Sequence, residues 1–412
     1  MKLVFINHVH PDTPHVSAMR MYYFAKAMAS RGHQVVLLTG ESPVQPGHCL
    51  DASEITSVIV THNWTKPLVL SVGEHAVSTR PQGAESLPPL IRRIRTAWRL
   101  LGGDGVHGQW VANAWPILEK IAEAFDPDLA WATFGNTSNL QLGQWLAQRV
   151  GCPWVADIKD NWYGYIPKGL RHAVAWRFRD AAGMTSNAWL HLQAAESWGK
   201  SKPKKVIYSG VAEAFYQVPA NDQSDRFRDV LLVGSIRSTT KLHVLLSALK
   251  QWAEALPVCG QERLRLVYAG TDSRQFNEAV HQILLPCTVM NMGQRPLEEL
   301  ARMTQQSLMN CYLTSDVSFH HKLLELLVAG RPVVCFPREH PESRQLAGGS
   351  TTGFHECATL DELVTAFDTL WKERAAPTAS NQLPAWRWDD FSVELEKFFA
   401  SLVQTGREQR MS

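Results

Sequence analysis

What the chain lacks narrows its reading first. No apolar run approaches the ~18 residues of a spanning helix, and the apolar start Leu3 to Ile6 stops at Asn7 and His8, far short of a secretory core. A cytoplasmic protein is expected. There is no charge excess either: Lys and Arg total 41 against 39 for Asp and Glu, so nucleic acid is not expected as the main partner. Nor does a disulfide framework suggest itself. The seven cysteines, Cys49, Cys152, Cys259, Cys287, Cys311, Cys335 and Cys357, are odd in number and widely spaced, and several sit in apolar runs, so they read as reduced core residues. The loop after the first apolar run, HVHPDTPHVSAMR (8 to 20), contains no glycine. A dinucleotide site needs a Gly-rich turn there to admit pyrophosphate, so an NAD or FAD dehydrogenase is not expected.

What is present is a long alternation of apolar runs and amphipathic stretches. The 412 residues are 45% hydrophobic and 19% charged, more than one ordinary domain requires. KLVFIN, a stripe of Met21, Phe24, Ala25 and Met28, Gly32 and then QVVLLT predict strand, helix, strand. Further strands are expected at VIVTH (58 to 62), LAWAT (129 to 133), PWVADI (153 to 158) and GMTS (183 to 186). After the Lys-rich KSKPKK (200 to 205) a second series follows: DVLLVG (229 to 234), RLVYAG (265 to 270), CTVMNMG (287 to 293), LMNCYL (308 to 313) and RPVVCF (331 to 336). The pattern predicts an α/β chain of two Rossmann-like domains, 1 to 205 and 206 to 385, facing each other across a cleft. Residues 386 to 412 are expected to form a C-terminal helix crossing back, with Trp386, Phe391, Leu395, Phe398 and Phe399 buried.

Ligands of such sheets gather beyond the carboxyl ends of the strands. GSIRSTTK (234 to 241) joins a strand to a helix and places Arg237, Lys241 and helix N–H groups near one point, which suits a diphosphate; the same cations would also serve as solvated caps of a turn. Lys322 and Glu325 are three apart on one helical face, so a carboxylate able to accept from two vicinal hydroxyls and a cation able to meet phosphate point together. Asp157 and Asp160 end another strand, as a functional pair or as helix caps, with Asp160 favoured for function. His8 and His10 imitate a metal motif, but no third ligand follows at a suitable spacing, and no metal is expected. LIRRIRTAWRLL (90 to 101) is a basic amphipathic helix that suits either an anionic membrane surface or a solvated cover over the core.

Several segments carry a resemblance. Residues 6 to 40, with Arg20 and the Gly32–His33 pair, and PDLAWAT (127 to 133), VADIKDNW (155 to 162) and KKVIYSGVAEAF (204 to 215) are similar to motifs of the GT-B fold glycosyltransferases of the large retaining GT4 family (glycosyl transferases group 1). KLLELLVAGRPVV (322 to 334) is the most specific, resembling the family's KLFEYLAAGKPVV. The resemblance implies transfer of a sugar, with retention, from a nucleotide donor that by family frequency is UDP-linked, to a glycan, lipid-linked or small-molecule acceptor. This is the chemistry of polysaccharide or glycoconjugate biosynthesis, and no cofactor is expected. It implies a second-domain donor site of Gly234, Glu325, His321, Gly293 and Arg295, charge-stabilising Arg237, Lys241 and Lys322, Asp160 as a catalytic group, and acceptor contacts from His15, Ser17 and Arg20 in the first domain. Three positions depart from the pattern: Val317 stands where the family often has a first glutamate, Ser235 where it has arginine, and the acceptor loop is glycine-free. Two alternatives stay open, a sugar-nucleotide epimerase of the same architecture and a non-catalytic nucleotide-sugar-binding protein.

Overall fold

A computed structural model describes the chain apart from residues 14, 46, 48, 50, 74–88, 102–106, 136, 196–197, 199–200, 218–226, 316–318, 351, 374–385 and 412. It divides into two units, Met1–Gly210 with Trp388–Ser412, and Val211–Arg387. Each is a wholly parallel sheet flanked by helices.

The first sheet has seven strands: β1 Lys2–Asn7, β2 Gln34–Thr39, β3 Leu68–Ser71, β4 Leu129–Thr133, β5 Trp154–Asp157, β6 Gly183–Ser186 and β7 Lys204–Val206, in the order β3-β2-β1-β4-β5-β6-β7. β1, β2, β4, β5 and β6 are buried along nearly their whole length. That is why they read as continuous apolar runs rather than as alternation: helices cover both faces of a parallel sheet. Leu3, Phe5, Val35, Leu37, Leu129 and Trp131 turn to one face, where helix Val16–Ser30 and helix Trp388–Met411 cover them. In the last helix Trp388, Leu395, Phe399, Leu402 and Val403 are buried and Phe391 and Phe398 partly so. Trp386 instead packs in the second unit, against the sheet face that includes Leu231 and Tyr312.

The second sheet has six strands: β8 Arg228–Val233, β9 Leu264–Ala269, β10 Thr288–Asn291, β11 Met309–Leu313, β12 Val333–Phe336 and β13 Phe354–Glu356, in the order β10-β9-β8-β11-β12-β13. In both sheets the order reverses beside the first strand, between β1 and β4 and between β8 and β11. The crevice at the carboxyl ends of those strands is the natural ligand position of such a sheet.

VIVTH (58 to 62) is not a strand. It ends helix Ala52–Thr61, whose N-terminus is closed by a capping box between Asp51 and Glu54. Ile55 and Ile59 are buried one turn apart while Val60 is 74% exposed, a spacing of four rather than two. The β-branched run suggested a strand; the capping pair was the better signal. β3, β7 and β13 were not expected; β7 lies at the end of KSKPKK, on the edge of the first sheet, where lysines are tolerated. The cysteines are free, but only Cys152, Cys311, Cys335 and Cys357 are core residues: Cys49 and Cys259 are exposed and Cys287 is half-buried.

Candidate active site

In the second unit, β8 ends at Gly234, which turns the chain with φ of +100°. Ser238 then caps helix Thr239–Glu254 by accepting the Lys241 N–H at 3.3 Å. The turn is braced from β9. The Tyr268 hydroxyl donates to the Gly234 carbonyl (3.0 Å) and accepts the Asp272 N–H (3.0 Å), and Asp272 in turn accepts the Ile236 N–H at 2.8 Å. Burial raises the Tyr268 phenol to about 12, which keeps it a neutral donor. Gly270 packs so tightly against this turn that a Cβ there would stand 2.2 Å from the Gly234 carbonyl oxygen.

From this braced loop the Lys241 ammonium reaches across the strand-order reversal and donates to the Thr314 carbonyl, at the end of β11, at 3.2 Å. Beyond Thr314 begins the loop into helix Lys322–Val328. There Glu325, 3% exposed, forms an ion pair with Lys322 and has His321 Nε2 at 3.7 Å from its other oxygen. Lys322 and Glu325 thus hold each other rather than standing apart. A buried carboxylate with a half-exposed ammonium beside it is a group ready to exchange one partner for a ligand hydroxyl. Arg237 is exposed on the β8 loop. Gly293, with φ of +64°, closes the β10 loop and accepts the Gly270 N–H at 3.1 Å, while Arg295 donates to the Met292 carbonyl and stands 3.6 Å from Glu299. Val317 lies outside the described residues.

One part of this loop was not anticipated. Glu339, nearly buried, accepts from the Tyr312 hydroxyl (2.8 Å) and from His320 Nδ1 (2.8 Å), while His320 Nε2 accepts the Ser315 N–H at 3.1 Å. Burial pushes the Glu339 carboxyl up, but His320 and Tyr312 outweigh it and leave it below its ordinary value. The triad fixes both ends of the segment leading to Lys322. Its sequence signal was PREHP, directly after an apolar strand.

In the first unit a second constellation sits at the matching strand ends. His8, just after β1, stacks on His107 at 4.4 Å between ring centroids and faces the Asn139 amide at 3.2 Å. Lys159, after β5, is 7% exposed and paired with Asp160, and a Cβ on Gly135 would come within 3.6 Å of its ammonium nitrogen. His191 meets Asn187 at 2.9 Å. Burial holds His8 well below its ordinary value and lowers His191 to about 4. The first unit therefore collects neutral imidazoles around one ion pair, a surface rich in donors and acceptors with little net charge.

His15 caps helix Val16–Ser30, its Nδ1 accepting the Ser17 N–H at 3.1 Å, and it lies within electrostatic reach of Lys159 and Asp160. Two of the expected acceptor residues are elsewhere. Ser17 is buried and donates to Asn7 at 3.0 Å. Arg20 is also fully buried: it grips Asp157 with Nε and Nη2 at 2.9 and 2.8 Å, and gives Nη1 to the Ile207 carbonyl and the Ser209 hydroxyl. Thr133 and Thr185 complete the shell of Asp157. Arg20 is thus an internal tie, its donors consumed by the core, and Asp157 is its counter-ion rather than a member of a surface pair. Asp160 does not cap the next helix either; Asn161 does.

No family model matches the chain, and no curated protein matches it in sequence. Solved structures do match nearly end to end. HepE of Anabaena in complex with UDP is 16% identical with a TM-score of 0.63, over 97% of this chain and 100% of that one. Sucrose-phosphate synthase of Thermosynechococcus elongatus is 14% identical with a TM-score of 0.62, over 98% and 99%. The UDP-GlcNAc 2-epimerase of Methanocaldococcus jannaschii is 10% identical with a TM-score of 0.55, over 96% and 100%. The chain has the two-domain α/β GT-B fold.

Proposed function

We propose that this protein is a glycosyltransferase that moves a sugar, with retention, from a nucleotide donor held by the second unit to an acceptor held by the first. The observation that carries the reading is the cation placed across the β8–β11 reversal: Lys241 bound to Thr314, with the Lys322–Glu325 pair following on the same loop. A leaving diphosphate gains negative charge as the glycosidic bond breaks, and fixed cations beside the N-terminus of helix Thr239–Glu254 meet that charge without reorganising. Arg237, Lys241 and Lys322 take this role. Glu325 accepts the ribose hydroxyls. Gly234, Gly293, Arg295 and His321 line the donor, which is UDP-linked by analogy with the UDP complex of HepE. On the first unit His15 and the Lys159–Asp160 pair orient the acceptor hydroxyl, Asp160 being the catalytic group.

A second reading, a sugar-nucleotide epimerase, is favoured by one observation: a UDP-GlcNAc 2-epimerase matches the same fold over nearly the whole chain. The acceptor separates the two. Incubation with a panel of UDP-sugars followed by mass spectrometry and NMR is expected to show a product only when a hydroxyl acceptor is added; an isomerised UDP-sugar without acceptor would replace transfer by epimerisation. In the transfer assay, Lys241→Ala is expected to lower kcat by about a hundredfold or more. Glu325→Gln is expected to raise the donor KM by roughly ten- to a hundredfold, the worth of a charged hydrogen bond, and to leave kcat nearly unchanged. Near-normal kinetics in both variants would remove the donor-site assignment.

A further inference from the structure

The first unit also presents an exposed aromatic and basic surface to which the proposed transfer assigns no residue. Helix Pro89–Leu101 packs on helix Arg171–Arg177. Its C-terminal end is fastened: Arg177 donates to the Leu101 carbonyl, Thr137 to the Arg99 carbonyl at 3.5 Å, and Leu100 is buried. Three apolar side chains of the helix turn outward. Ile91, Ile94 and Trp98, spaced to share one helical face, are 49%, 60% and 66% exposed. Beside them Trp176 is 67% exposed, with the Arg179 guanidinium 4.1 Å from its ring centre, and Tyr163 and Tyr165 are about half exposed, with Arg171 stacked 4.0 Å over Tyr163.

The charge on these two segments has one sign. Among the described side chains the helix carries Arg95 and Arg99 and the segment 162 to 179 carries Lys168, Arg171, Arg177 and Arg179, and neither segment contains an acid. Asp180, which follows Arg179 directly, is engaged by Gln144 and Gln148 of helix Thr137–Val150. A patch that leaves isoleucines and tryptophans in water among arginines gains nothing from solvent. A second copy would bring like charges together, and a nucleic acid would leave Ile91 and Ile94 with no partner. An anionic bilayer answers every component: indoles and phenols lie at the headgroup level, isoleucines reach the acyl boundary, and arginine stems snorkel to the phosphates.

We propose that the surface formed by helix Pro89–Leu101 and residues 162 to 179 docks the protein on an anionic lipid bilayer. This goes beyond the transferase reading and does not depend on it, since neither segment holds a donor-site residue.

The test is co-sedimentation of the full chain with vesicles of phosphatidylcholine alone, or of phosphatidylcholine and phosphatidylglycerol in equal parts. Wild type is expected to sediment with the anionic vesicles and not with the zwitterionic ones, and to be released by salt as the Debye length shrinks. Arg95→Gln, Lys168→Gln and Arg179→Gln together should weaken binding by about a hundredfold, about fivefold for each charge lost near the surface. Ile94→Ser, Trp98→Ser and Trp176→Ser together should weaken it by roughly tenfold or more while leaving the unfolding midpoint nearly unchanged, because these side chains are exposed. The proposal is overturned if wild type ignores anionic vesicles or binds both kinds equally. It is overturned too if the serine variant binds as wild type, which would leave a general electrostatic patch. Sedimentation equilibrium showing a dimer lost in that variant would make the face a contact between copies and overturn it as well.

Discussion

Replacing Arg20 by methionine tests whether the first-unit residues have been sorted correctly. Arg20 and Asp157 are both fully buried and bound face to face at 2.8 and 2.9 Å. Methionine keeps the volume of the stem but strands the carboxylate in the core, where the Thr133 and Thr185 hydroxyls still serve it. Breaking a buried pair from one side costs about 3–5 kcal/mol, because the surviving charge keeps its desolvation penalty and loses its partner. For a unit of this size each kcal/mol lowers the midpoint by roughly 2–4 °C, so the first transition should fall by about 6–20 °C. Intrinsic tryptophan fluorescence is a suitable probe, since twelve of the fifteen tryptophans belong to the first unit. Asp157→Asn added to Arg20→Met removes the stranded charge and should recover half the loss or more, a non-additivity that marks a direct pair. Acceptor affinity of the surviving folded protein should be little changed. Stability within about 1 kcal/mol of wild type, with acceptor affinity lost, would refute the argument and return Arg20 to the ligand surface.

Two further outcomes follow from groups already placed. His191 is neutral in the fold, with its pKa lowered to about 4 from the ordinary 6.5, so between those values the unfolded chain binds a proton that the folded chain does not. Stability is then present above pH 6.5 and lost as pH falls toward 4, by up to about 3 kcal/mol, and urea titrations of wild type and His191→Gln at pH 7 and pH 4.5 should show a shallower loss in the variant. Gly270→Ala drives a Cβ against the Gly234 carbonyl and the Tyr268 hydroxyl; it should destabilise the second unit by about 1–3 kcal/mol and weaken UDP binding by titration calorimetry, and wild-type behaviour in both would show the turn to be slack.

The parallel sheets were legible because strands buried on both faces, such as QVVLLT and DVLLVG, leave unbroken apolar runs that few other elements produce. Short edge strands have no such signature: β7 and β13 are three residues long and only half-buried. The cations of the β8 loop were legible for a local reason, since Gly234, Arg237 and Lys241 lie within eight residues of one another. What that spacing could not supply was the partner, as Lys241 meets Thr314 across 73 positions. The first-unit constellation was hidden for the same reason. His8 and Asn139 meet across 131 positions, and only the pairing of β1 with β4 brings them together. Arg20 was expected at the acceptor through the resemblance alone, and its partner proved to be an aspartate 137 residues away.

The first unit is interrupted, and its interruption sets an order for synthesis. Leu3, Phe5, Val35, Leu37, Leu129 and Trp131 share a sheet face that Leu395, Phe399, Leu402 and Val403 complete. When the first 210 residues have left the ribosome, helix Val16–Ser30 covers that face only in part, whereas the second unit is drawn from one continuous stretch and can close as soon as residue 387 emerges. At about 5–20 residues per second the nascent chain carries this open face for roughly 10–40 s. The unit made first is therefore the last to finish, and a ribosome stalled beyond residue 210 but short of residue 403 holds a finished second unit at most, beside an apolar sheet open to chaperones.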